Sequence, residues 1–166
     1  MLLFEKILVP LDGSGHSVRA LGIAVQIARK FGGRIALIHV YSVTVRPIVI
    51  PEPTTLTPPG VPVITPAEVS KVAEAARETS MRILSDGEEK VKTEGIHVET
   101  MLKEGHAAQE IIKVARENQF DLIVMGARGI SKIKEILLGS VSDAVLRNAP
   151  CPVLVVKQSD DINALT

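Results

Sequence analysis

Short apolar runs alternate with longer amphipathic ones along most of this chain, and the alternation predicts its elements. KILVPL, Lys6 to Leu11, is a strand-length run closed by Asp12 and Gly13, with Pro10 tolerable near its end. In SVRALGIAVQIARKFGG, residues Val18, Leu21, Val25 and Ala28 share one helical face, and Lys30 with Gly32-Gly33 marks the helix end. RIALIHV is apolar nearly throughout, as a strand inside a parallel sheet must be. A charged, alanine-rich helix is expected from Ala67 to about Thr93, with a stripe through Val69, Val72, Ala76, Ile83 and Met81 or Leu84. Gly95 stops it, and Gly87 weakens it by about 1 kcal/mol relative to alanine. IHVETML alternates like an edge strand, and HAAQEIIKVARENQF buries Ala108, Ile111, Ile112 and Ala115 as a helix. DLIVMG and CPVLVVK supply two further strands, with the helix SVSDAVLRN between them.

Strand and helix alternate to a fifth strand, which argues for an α/β fold: an open parallel sheet with helices on both faces. A single domain over residues 1–160 accommodates this, followed by a short tail at 161–166. Between about 42 and 66 the pattern lapses into a proline-rich stretch containing PEP and PPGVP. It is long for a connection inside a compact domain, so a mobile loop or an indifferent surface insertion is expected.

Composition narrows the classes. Hydrophobic residues make up 46% of the 166 residues but aromatic ones only 2%, so the core is aliphatic. Nineteen basic residues balance nineteen acidic ones, which removes any global electrostatic case for nucleic-acid binding. Cys151 is the one cysteine, excluding an internal disulfide and a cysteine-rich zinc site. No apolar run reaches membrane-spanning length, and the start reads as a strand rather than a signal, so a cytoplasmic location is expected.

Ligands of open α/β sheets collect beyond the carboxyl ends of strands, where strand order reverses. The candidate loops are Asp12-Gly13-Ser14-Gly15, Val40-Tyr41 and Gly126-Ala127-Arg128-Gly129. Glycine lets backbone N–H groups approach an anion, and Ser140 opens a helix whose first amides could hold phosphate. Asp143 also stands where a capping box needs it, and turns plus caps account for the same residues without a ligand. Neither GxxxxGK[ST] nor GxGxxG is present.

Three blocks, ILVPLDGSGHSVRAL, DLIVMGARG and GSVSDAVLRNAPCPVLVVK, resemble the universal stress protein family over essentially the full length. The spacing Gly126-x2-Gly129-x9-Gly139-Ser140 resembles that of its ATP-binding branch. The resemblance implies a Rossmann-like five-stranded sheet of order 3-2-1-4-5. It implies that Asp12 contacts ribose or a bound metal and that the Val40 backbone bonds adenine, with Pro10, Leu11 and Met125 close to the base. Gly126, Arg128 and Gly129 would shape a phosphate loop, and Gly139, Ser140, Val141 and Ser142 would hold phosphates. ATP is the implied ligand, with AMP or ADP as alternatives and Mg2+ or Mn2+ as the ion. Gly15 departs from the acidic or larger residue common in the family, adding freedom to the Asp12 loop.

The implied role is an ATP-binding regulatory protein whose occupancy alters conformation or an unidentified protein partner. The rivals are a slow ATP hydrolase or phosphotransferase, for which no base is found, and an interaction module without nucleotide. Val153 to Val156 is an apolar edge strand, and similar proteins pair this strand in a homodimer. Lys132 and Lys134 could neutralise phosphates or be solvated. His16 is expected at the surface, His39 packed and hydrogen-bonded, and Cys151 as a small filler.

Overall fold

The computed structural model describes residues 4–43, 65–130 and 138–157. Its elements run β1 (Lys6–Pro10), α1 (Gly15–Phe31), β2 (Arg34–Tyr41), α2 (Pro66–Thr93), β3 (Val98–Glu104), α3 (Ala107–Glu117), β4 (Leu122–Gly126), α4 (Ser140–Asn148) and β5 (Val153–Val156). The five strands form one parallel sheet in the order β3-β2-β1-β4-β5, the expected fold. Most of the proline-rich stretch, Lys132, Lys134 and the tail at 161–166 lie outside the described residues.

Strand alternation sends side chains to two aliphatic cores. On one face Ile7, Val9, Ile35, Leu37 and Val124 pack with Ala20, Leu21, Ala24 and Ala28 of α1 and Leu84 and Val91 of α2. On the other, Leu8, Ala36, Ile38, Ile123 and Met125 pack with Ile111, Val114 and Ala115 of α3 and Val145 of α4. The helices therefore cover both faces, as the near-continuous apolar strands require.

Two helices differ from their predicted outlines. Val18 of α1 is exposed, because the buried face runs through Ala20, Leu21, Ala24, Val25 and Ala28. In α2 the later part of the expected stripe faces the core, with Leu84 buried and Ile83 packed against it, but Val69, Val72 and Met81 are exposed, and Ser80, Gly87 and Val91 complete the buried face. The helix starts at Pro66, and Thr65 caps it reciprocally with Glu68. Gly87 costs helix propensity but permits close packing: a Cβ there would fall 2.5 Å from Leu11 Cδ1 and 3.1 Å from Leu37 Cδ1.

Candidate functional site

The crossover from β3 to β4 reverses the direction of sheet growth, so β1 and β4 flank the switch point where such sheets bind ligands. A cavity of about 300 Å³ opens there, beyond the carboxyl ends of β1, β2 and β4. All twelve sequence-predicted site residues line it. Pro10, Leu11 and Asp12 come from β1 and its exit, Val40 from β2, and Met125, Gly126, Arg128 and Gly129 from β4 and its exit. Gly139, Ser140, Val141 and Ser142 come from the amino end of α4. Sequence reasoning missed Ser17, Ile38, Ala107, Ile111 and Ile130, which also line it. Ile111 carried a helical-period signal, but nothing local distinguishes a core position from a cavity wall.

The DGSGHS turn is locked by its own polar groups. Gly13 takes φ +81°, and the Ser14 N–H donates to Asp12 Oδ1 at 2.9 Å. Ser14 caps α1 by accepting from the Ser17 N–H at 3.2 Å, and Ser17 Oγ donates to the Ser14 carbonyl at 2.9 Å. Gly15 is the first residue of α1, so it belongs to a helix start rather than to a slack loop. The Asp12 carboxylate, half-buried, is thereby aimed across the crevice. A Cβ placed on Gly129 would lie 2.6 Å from Asp12 Oδ2, so the two loops touch as lips of one cleft.

The three glycines of the motif do different work. Gly126 is a packing residue, because a Cβ there would sit 2.7 Å from His16 Cβ and 2.8 Å from His16 C. His16 is consequently 8% exposed, against the expectation of a surface residue, and is buried beneath the end of β4. Gly129 does not need positive φ; its missing side chain leaves room for the Asp12 carboxylate. Among the described residues Gly139 has neither constraint, since its φ is −71° and the nearest described atom to a Cβ is 3.5 Å away.

Gly139 is itself the N-cap of α4 and makes no side-chain cap, so the expected box between Ser140 and Asp143 does not form. Asp143 instead accepts from Arg147 Nε at 3.0 Å, which raises the guanidinium pKa above its usual value. Ser142 Oγ donates its one proton between the carbonyls of Ala127, at 2.7 Å, and Gly139, at 2.9 Å. Gly139 N–H also donates to the Ala127 carbonyl, at 2.8 Å, pinning the helix start to the exit of β4. The Ser142 hydroxyl is thus committed to the protein, and α4 offers the cavity its first-turn amides and the exposed Ser140. Those amides and the helix dipole favour an anion.

Inward from this polar rim, Ile38, Val40, Ile111 and Met125 give the cavity an apolar wall. Asp12 is the carboxylate and Arg128 the cation among the described lining residues. Among the described residues no group of three or more His, Cys, Asp or Glu could hold a metal ion. Burial pushes the Cys151 thiol pKa up, aided by Asp121, which makes it a poor nucleophile. No described helix is long and apolar enough to cross a membrane.

Residues 3–157 match the universal stress protein family. The Universal stress protein YxiE of Bacillus subtilis is 35% identical over 155 residues, covering 93% of this chain and all of that protein. A solved structure titled as a structure-based assignment of the biochemical function of MJ0577 has the same fold, with TM-score 0.78, 24% identity and coverage of 95% and 99%. A universal stress protein solved in complex with cAMP gives TM-score 0.62 at 28% identity, covering 93% of this chain and 97% of that one. The family match spans nearly all of the described fold, including both lips of the crevice, and the chain belongs to the universal stress protein family.

Proposed function

We propose that this protein binds an adenine nucleotide, ATP foremost and AMP or ADP alternatively, and acts as a regulatory binder. The observation that carries the reading is the convergence, in one cavity, of an apolar wall and a helix start at Gly139 where the described residues leave ordinary room for a side chain. Apolar residues suit the faces of a base, and first-turn amides suit phosphate oxygens. The cAMP-bound relative supports a nucleotide of this class.

In this reading the Val40 backbone reads the base edge, with Pro10, Leu11 and Met125 beside the ring. Asp12 faces the ribose or the ion, and Arg128 with the Gly129 backbone faces phosphates. Mg2+ or Mn2+ bound between phosphates, Asp12 and water would need one protein carboxylate, and Asp12 supplies it among the described residues. Its contribution would be charge neutralisation, while the chain positions the nucleotide. Occupancy would then favour one conformation or surface over another in proportion to differential affinity. Binding is favoured over catalysis because Asp12 is already engaged by Ser14 N–H and, among the described residues, Asp12 is the one carboxylate lining the cavity.

Calorimetric titration of nucleotide-free protein with ATP and Mg2+ or Mn2+ is expected to give a saturable signal, and a flat trace at millimolar ATP overturns the reading. The fate of bound ATP over hours separates a binder from a slow hydrolase. A homodimer through β5 belongs to the same proposal. The strand pairs with β4 on one side, and Leu154 is 38% exposed. Light scattering at tens of micromolar should give the dimer mass, and a monomer alone refutes it.

A further inference from the structure

His39 lies on β2 with its side chain on the face opposite the Val40 side chain, and it is 8% exposed. Its Nδ1 is 2.6 Å from the carbonyl oxygen of Leu11. A carbonyl can only accept, so Nδ1 carries the proton and the bond fixes the ring tautomer.

This contact replaces a rung of the sheet. In a parallel ladder, a residue bonded through its N–H to one partner accepts, at its own carbonyl, from the residue two further along the partner strand. Leu11 N–H donates to the Ile38 carbonyl at 2.8 Å, so the next rung would run from Val40 N–H to the Leu11 carbonyl. Among the described residues that rung is not made; the imidazole occupies the carbonyl instead. Val40 keeps the strand alternation of Ile38, so its peptide N–H points toward the β1 side, where the strands part and the cavity begins.

Leu11 is held from three directions: by the Ile38 carbonyl, by the His39 ring, and by α2, where Gly87 has no Cβ to collide with the leucine side chain. The next residue is Asp12. Fixing the Leu11 carbonyl therefore sets both the start of the Asp12 turn and the vacancy of the Val40 amide.

We propose that His39 is a positioning residue: by capping the Leu11 carbonyl it ends the β1–β2 ladder one rung early and leaves the Val40 N–H available to the edge of a bound base. The inference rests on the adenine-nucleotide reading above. It adds a residue that does not touch the ligand, and a reason why a backbone amide of a central strand is open to one.

The test compares ATP with inorganic tripolyphosphate, which has the phosphates but no base, by calorimetry on wild type, His39→Leu and His39→Asn. The asparagine amide can place a donor near the position of Nδ1; leucine cannot. His39→Leu should lose roughly 10-fold or more in ATP affinity, the equivalent of about one hydrogen bond's worth of binding. It should bind tripolyphosphate as wild type does, and His39→Asn should recover most of the ATP affinity. In nucleotide-free wild type, nitrogen NMR of the ring should report the Nδ1-protonated form. The inference alone is overturned if wild type binds ATP and His39→Leu binds it equally well, or loses both ligands in proportion. It is overturned equally by an asparagine variant no better than leucine, or by an Nε2-protonated ring. Wild type that binds no adenine nucleotide overturns the nucleotide reading and this inference with it.

Discussion

Replacing Gly126 and Gly139 separately by alanine should produce opposite phenotypes, although one sequence motif contains both. At position 126 the new methyl would lie 2.7 Å from His16 Cβ, 2.8 Å from His16 C and 3.0 Å from Ser17 N. Carbon atoms pack at about 3.5–4.0 Å, so α1 and β4 must separate by roughly 0.8 Å or more. Two of the three obstacles are backbone atoms of a helix buried against the sheet, and they cannot rotate away. Overpacking of this kind costs about 1–3 kcal/mol. In a chain of this size each kcal/mol moves the melting temperature by about 2–4 °C, giving a fall of roughly 2–12 °C. At position 139 the nearest described atoms are 3.5 and 3.6 Å away and φ is −71°, so alanine fits among them without strain. Losing a glycine N-cap and gaining backbone rigidity nearly offset each other, leaving stability within about 1 kcal/mol of wild type. Gly139 lines the cavity, so on the nucleotide reading a methyl there narrows the approach to the α4 amides, and ATP affinity should fall by about 10-fold or more. Thermal denaturation followed by ATP calorimetry well below the transition reads both quantities. Equal melting temperatures for wild type and Gly126→Ala would refute the packing argument. A Gly139→Ala protein that binds ATP as wild type does would refute the phosphate argument.

Asp12→Ala should weaken Mg-ATP more than metal-free ATP if the carboxylate meets the ion, and both equally if it meets ribose; unchanged binding in both titrations removes Asp12 from the site. Gly129→Val should reproduce much of that loss in a folded protein, because its Cβ would displace Asp12 Oδ2, and circular dichroism with calorimetry checks it. At the start of α2, the Thr65 backbone N–H and then its hydroxyl hold the Glu68 pKa below the usual carboxylate value. A depressed folded pKa stabilises above the unfolded value, near 4.3, and that contribution disappears as pH falls through the folded value. Amide protection in the first turn of α2, taken relative to the intrinsic exchange rate at each pH, should therefore fall below about pH 4. Thr65→Ala should flatten this dependence, and an identical pH profile would refute the cap's role.

The sheet was legible because its three central strands are apolar on both sides and its helices carry a period, and neither signal depends on distant contacts. The start of α2 was legible too, in Thr65-Pro66-Ala67-Glu68, but the proline-rich stretch before it masked the cap. What the pattern could not reveal were properties of pairs far apart in the chain. Val18 and Val72 have helical spacing, yet which face of a helix meets the sheet depends on its docking, and both are exposed. Gly87 looked like a defect because its partners, Leu11 and Leu37, are remote in sequence. His39 was legible as packed but not as a substitute for a sheet rung, since that requires the register of β1 against β2.

The same distinction bears on what a glycine motif can say about a ligand. Gly126 is demanded by α1, and Gly129 by the Asp12 carboxylate, so substitution of either perturbs the fold or the turn whether or not nucleotide binds. A chain of this fold could therefore keep both and bind nothing. Gly139 is different: the described protein atoms leave ordinary room for a side chain and its backbone angle suits any residue. Glycine suits an N-cap in its own right, and on the nucleotide reading it also keeps the approach to the α4 amides open. Of the spacing Gly126-x2-Gly129-x9-Gly139-Ser140, the last glycine thus carries most of the argument for phosphate, and the first two argue mainly for the scaffold that presents it.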